Sequence, residues 1–153
     1  MSYQCEIIER PVQPALSVRR TVPVQELPQA FGQAFGQIAQ YLQECGEAPA
    51  GPPFTAYFNM DMQALEIEIG MPVGRTLPGK GEIQFGQMPS GKFGACLHVG
   101  PYPDIGAAYE ALSAYLQGQG YQPSGVSYEI YLNSPTDTPP QELRTQILFP
   151  LKG

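Results

Sequence analysis

The segment Phe-Thr-Ala-Tyr-Phe-Asn at 54–59 returns as Tyr-Glu-Ile-Tyr-Leu-Asn at 128–133, 74 residues later. Self-similarity of this kind constrains a fold more than any single motif, because each copy must build the same supersecondary unit. The same offset carries Phe31, Phe35, Ile38, Tyr41, Leu42 and Gly46 onto Ile105, Tyr109, Leu112, Tyr115, Leu116 and Gly120. Apolar residues three and four apart, closed by glycine, predict a helix near 25–45 and a second near 103–118. A last strand repeats with a slightly longer offset, Leu65, Ile67, Ile69, Met71 and Pro72 matching Leu143, Thr145, Ile147, Phe149 and Pro150. Weaker matches set an opening hairpin around Pro11 against one around Pro89.

The expected fold is therefore α+β: hairpin, helix and hairpin, written twice over about 1–74 and 75–153 in one domain of 153 residues. Two helices would pack on antiparallel sheet, and a pseudo-twofold axis would relate the halves. A central groove where equivalent strands meet is the expected ligand site.

Composition excludes several functions. A net charge of −6 with only eight Lys and Arg, scattered along the chain, repels phosphate and argues against a nucleic-acid partner. No apolar stretch approaches the roughly 20 residues that span a bilayer, so no membrane role and a cytoplasmic location are expected. Cys5, Cys45 and Cys96 are too far apart for a zinc site and odd in number, and they read as reduced, mostly buried small side chains. No metal or cofactor is expected. The single histidine, His98, reads as a structural hydrogen-bonding group at the start of a helix. Serines lie in no Gly-x-Ser-x-Gly elbow and the chain has no phosphate-binding glycine loop. Gly32 and Gly36, inside the first predicted helix, read as positions that permit close packing.

Alternation along the strands divides the remaining candidates. Tyr128, Ile130 and Leu132 are expected to cover the helices, with Phe54, Ala56 and Phe58 as their counterparts. That leaves Glu129, Tyr131, Thr55 and Tyr57 on the groove side, while Glu66 and Glu68 share a face that reads first as solvated and otherwise as bordering the groove. A carboxylate between aromatic rings suits an organic cation, through Coulomb attraction and cation–π contact. The competing reading is a solvated sheet face with tyrosine as an ordinary strand former.

Ser-Gly-Lys-Phe-Gly-Ala-Cys-Leu-His-Val-Gly-Pro-Tyr at 90–102, Ala-Ala-Tyr-Glu-Ala-Leu at 107–112 and Tyr-Glu-Ile-Tyr-Leu-Asn-Ser-Pro at 128–135 together resemble the GyrI-like family. That gyrase-inhibitor-like family includes the effector-binding domains of AraC-type and MerR-type regulators, and the resemblance covers nearly the whole chain. It implies the duplicated fold and a pocket for multidrug-type ligands, with a strand glutamate contacting cations. Glu129 takes that role, and Tyr57, Tyr109 and Tyr131 become pocket walls.

No helix-turn-helix segment accompanies these motifs, so the expectation is a stand-alone binder of lipophilic, cationic aromatic compounds. Two other activities are implied by the resemblance. One is hydrolysis of cyclopropane-containing or other xenobiotic compounds, with Glu129 and Tyr131 as acid–base groups, and the other is inhibition of a protein partner such as gyrase. Residue types alone do not separate binder from hydrolase. Haem, bound by a related duplicated fold, is set aside because His98 is the only histidine.

Overall fold

The computed structural model describes residues 3–152. In chain order the elements are β1 (Cys5–Arg10), β2 (Gln13–Val22), α1 (Leu27–Glu44), β3 (Phe54–Tyr57), β4 (Leu65–Pro72), β5 (Gln84–Met88), β6 (Gly91–Val99), α2 (Gly106–Gly118), β7 (Ser127–Tyr131) and β8 (Arg144–Pro150). Both helices and strands β3, β4, β7 and β8 lie where the sequence periodicity puts them. Single 3-10 turns over Val24–Glu26 and Tyr102–Asp104 lead into α1 and α2.

Two compact units are present, one formed by residues up to Arg10 with those from Gly91 onward, the other by Pro11–Ser90. Each is α+β, an antiparallel sheet carrying one helix. In the first the strands run in the order β1-β6-β8-β7, and in the second β5-β2-β4-β3.

These pairings correct the opening hairpins expected around Pro11 and Pro89. β1 pairs with β6, and β2 pairs with β5 and β4. Only Pro11-Val12 separates β1 from β2, and only Pro89-Ser90 separates β5 from β6. Two-residue hairpins need a positive φ at their first loop position, which the proline ring forbids. Each short connection therefore passes the chain from one unit to the other, and the unit boundaries fall at these prolines rather than near residue 74.

The helices end alike. Gly46 takes φ 70° and Gly120 takes φ 79°. The amides of Gly46 and Glu47 return to the carbonyls of Gln43 and Leu42, and those of Gly120 and Tyr121 to Gln117 and Leu116. Both are Schellman closures, placed at the same repeat offset.

On α1, Ala30, Ala34, Ile38, Tyr41 and Leu42 pack onto Leu16 and Val18 of β2 and onto Leu65, Ile67 and Ile69 of β4. On α2, Ala108, Leu112 and Leu116 pack onto Cys96, Ile147 and Phe149. Small residues opposite the second helix let it approach closely: a Cβ on Gly94 would meet Leu116 side-chain atoms at 2.8 Å. Gly32 and Gly36 have no such role, since a Cβ at either meets nothing within 4 Å. They lie on the exposed face of α1, which corrects the expectation that they permit close packing.

All three cysteines are free thiols, with Cys96 buried and Cys5 and Cys45 partly buried. Cys5 and Cys96 face each other across β1 and β6. Burial first, then the neighbouring Cys5, pushes the Cys96 thiol up to about 12. Among the described residues no helix is long and apolar enough to cross a membrane, and no three His, Cys, Asp or Glu side chains gather as metal ligands would.

Candidate functional site

Strand β7 is buried along Ser127, Tyr128, Glu129 and Ile130, so both of its faces are covered. Facing residues in an antiparallel ladder share a face. Glu129 faces Ile147, and Ile147 faces Cys96, both of which pack under α2. Glu129 therefore lies on the helix side of its sheet. This corrects the expectation that Tyr128, Ile130 and Leu132 cover the helix: Tyr128 faces Leu148 on the opposite side, and Leu132 is 45% exposed. Alternation could not decide the matter, because a strand covered on both faces has no solvent side to mark one residue set as outward.

Glu129 is 9% exposed, and its carboxylate receives two phenol hydrogen bonds. Tyr109 of α2 donates to Oε2 at 2.5 Å, and Tyr131 of the same strand donates to Oε1 at 3.1 Å. Periodicity explains why all three meet: Tyr109 lies one residue past Ala108 and three before Leu112, at the edge of the buried stripe, while Tyr131 follows Glu129 by two on the same strand face. Tyr102, in the turn before α2, packs edge-on against Tyr131 at 6.0 Å between ring centroids, and Tyr109 packs against Phe149 at 5.7 Å.

Burial raises the Glu129 carboxyl above the ordinary glutamate range, and this outweighs the opposing effects of the Tyr109 bond, the Tyr131 bond and the nearby His98. The two phenols hold each oxygen in place while desolvation keeps the group basic. Tyr102 is pushed up as well, mainly by burial and then by the Glu129 charge. The result is a fixed carboxylate against three tyrosine rings.

His98 is buried, with its Nε2 3.0 Å from the Pro101 carbonyl and its Nδ1 3.2 Å from the Tyr3 hydroxyl. A carbonyl can only accept, so Nε2 carries the proton, and in the neutral ring Nδ1 accepts from Tyr3. This holds the chain where it turns toward α2, the structural use expected of the residue.

The other predicted residues lie in the second unit. Thr55 and Tyr57 face Ile69 and Ile67, under α1, at the positions that correspond to Glu129 and Tyr131. Ala56 faces Glu68, so Glu68 lies on the opposite side of that sheet from Thr55 and Tyr57. Its carboxylate accepts from Ser17 Oγ at 2.8 Å and lies 3.9 Å from Arg19. Phe54 and Ala56, expected under the helix, also lie on that opposite side. The structure thus joins Glu129, Tyr131 and Tyr109 in one cluster, and Thr55, Tyr57 and Glu68 belong to the other unit.

Sequence reasoning missed Tyr102 and Tyr3 as neighbours of this cluster. Tyr102 lies in an irregular turn with no period to read. Tyr3 meets His98 across 95 residues, a separation that only strand register reveals.

Residues 3–152 match the model of a GyrI-like small molecule binding domain. Among solved structures the fold resembles EcmrR. In a cryo-EM complex of EcmrR with DNA the TM-score is 0.85 at 23% identity, covering 98% of this chain and 57% of that one. Against the EcmrR C-terminal domain alone it is 0.80 at 23% identity, covering 99% of both chains. A protein from Listeria innocua described as a hydrolase gives 0.72 at 15% identity, covering 99% of this chain and 93% of that one. SAV2435, in a structure bound to tetraphenylphosphonium, gives 0.62 at 15% identity, covering 100% and 95%. None of the curated proteins compared matches the chain significantly.

Proposed function

The chain belongs to the GyrI-like small molecule binding domain family, and from that premise we propose that it is a receptor for lipophilic, cationic aromatic compounds held at Glu129. The observation that carries this reading is a buried glutamate, 9% exposed, held at each carboxylate oxygen by the phenol of Tyr109 or Tyr131, with Tyr102 packed on Tyr131. A desolvated anion gains most from a counter-cation that brings little hydration of its own, and tyrosine faces add cation–π attraction of roughly 0.5 to 2 kcal/mol. An aromatic cation combines both properties. The likeness to SAV2435, whose structure holds tetraphenylphosphonium, supports the same ligand class.

The repeat offset shared by strands, helices and caps further supports a duplication, with Thr55 standing where the second copy has Glu129. One site carboxylate, Glu129, and hence one cation per chain, is the stoichiometry this reading implies. Free thiols fit work in the reducing cytosol. Saturable binding of a cationic rhodamine, followed by fluorescence anisotropy, tests the proposal. A neutral dye of similar size that binds equally well would oppose it.

A hydrolase is the second reading, favoured by the raised basicity of Glu129 beside Tyr109. In a cyclopropane substrate Glu129 would take a proton from water as its oxygen attacks one ring carbon. The broken C–C electron pair would collect a proton from a phenol, which Glu129 then restores through their hydrogen bond. A product heavier by one water in mass spectrometry would establish turnover. Intact compound across several such substrates leaves the receptor. No observation favours a gyrase partner over these.

A further inference from the structure

The row of the sheet next to Glu129 is polar throughout. Tyr131 faces Thr145, Thr145 faces His98, and His98 bonds Tyr3, so Tyr3, His98, Thr145 and Tyr131 cross the α2 side of the sheet in one line. Glu129 and Ile147 form the adjoining row, two residues along each strand. Thr145 is 0% exposed, and its Oγ1 has no hydrogen-bond partner. Its neighbours' donors are engaged elsewhere. The His98 Nε2–H goes to Pro101, Tyr3 serves His98 Nδ1, and the Tyr131 hydroxyl proton goes to Glu129. A buried hydroxyl without a partner is costly, and Val would fill the same volume without that cost.

We propose that Thr145 is a specificity-determining residue of the Glu129 site, accepting a hydrogen bond from an N–H of the bound cation. This rests on the receptor reading given above. The preferred ligand is then an aromatic cation bearing several N–H donors, such as a protonated amidine or aminoacridine, rather than a fully arylated or alkylated onium ion. One N–H meets the Glu129 carboxylate and another meets Thr145 Oγ1 in the next row. An onium ion keeps the charge attraction and leaves the hydroxyl unpaired.

The test compares wild type, Thr145→Val and Glu129→Gln against two probes, 9-aminoacridine at a pH where it is protonated and tetraphenylphosphonium, which has no hydrogen to donate. Thr145→Val should bind 9-aminoacridine about tenfold more weakly, as one charge-assisted bond is lost. It should hold tetraphenylphosphonium within about twofold and melt no lower than wild type, because the orphaned hydroxyl is gone. Glu129→Gln should weaken both probes. Undiminished 9-aminoacridine binding by Thr145→Val, or equal losses for both probes, overturns the role of Thr145 while the Glu129 reading stands. Wild-type protein that binds neither probe, or Glu129→Gln that binds both unchanged, overturns that reading and the Thr145 assignment with it.

Discussion

The Tyr109 hydroxyl of α2 lies 2.5 Å from Glu129 Oε2, a phenol donating directly to a buried carboxylate. This bond ties the helix to the strand that carries Glu129, and it lowers the Glu129 pKa against the rise that burial imposes. Tyr109→Phe keeps the ring against Phe149 but removes the donor. Glu129 should then titrate at higher pH than in wild type, and the affinity for a cationic dye should develop at correspondingly higher pH. A pH profile of dye binding reads the shift; superimposable profiles would show that the bond does not tune the carboxylate.

Because burial raises the Glu129 pKa above its ordinary value of 4.5, the unliganded protein holds this proton more tightly than the unfolded chain does. By linkage, the stabilisation is fully present below that ordinary value and is lost as pH rises through the folded-state pKa. The stability of wild type relative to Glu129→Gln should therefore fall across that window and level off above it. Denaturant titrations of both proteins from pH 4 to 8 measure the difference, and other carboxyls cancel in the comparison. A difference that stays flat, or rises with pH, would contradict the raised value.

Glycine substitutions should divide by what a Cβ meets. Gly32→Ala and Gly36→Ala, on the open face of α1, should each stabilise by about 0.5 to 1 kcal/mol, since alanine loses less entropy in a helix. Gly70→Ala would bring a Cβ to 2.6 Å from the Phe54 ring and 2.9 Å from the Leu16 carbonyl oxygen. It should cost about 1 to 3 kcal/mol or more, because a backbone oxygen paired in a sheet cannot step aside. Melting temperatures of the three variants would settle the order.

Much of this was legible in the sequence because self-similarity and periodicity can be read directly along the chain. The repeat offset located both helices, their glycine closures and strands β3, β4, β7 and β8. It also put Glu129 beside Tyr131, which are two residues apart on one strand, whereas Tyr109 entered only through the family resemblance, since its helical spacing equally fits a core residue. The missing information was non-local. Nothing in Pro11-Val12 or Pro89-Ser90 names the strand that each neighbour pairs with, although the prolines do exclude a tight hairpin. The side of β7 that faces α2 was assigned wrongly, since Tyr128, Glu129 and Ile130 are all buried. Thr145 looked like a weak strand match to Ile67. Its place between His98 and Tyr131 follows from the register of three strands.

The central claim is that the Glu129 charge holds a cationic ligand, and Glu129→Gln isolates that charge while keeping the shape of the side chain. Titrations of wild type and variant with a cationic rhodamine and with a neutral analogue, by fluorescence anisotropy, measure it directly. Charge-assisted contacts are worth roughly 1.5 to 3 kcal/mol, so the variant should bind the cation about tenfold to a hundredfold more weakly. The neutral analogue should lose much less, or gain, because no unpaired anion is then buried beneath it. Equal affinity of the two proteins for the cationic dye would contradict the account and leave Glu129 as a structural partner of Tyr109 and Tyr131 alone.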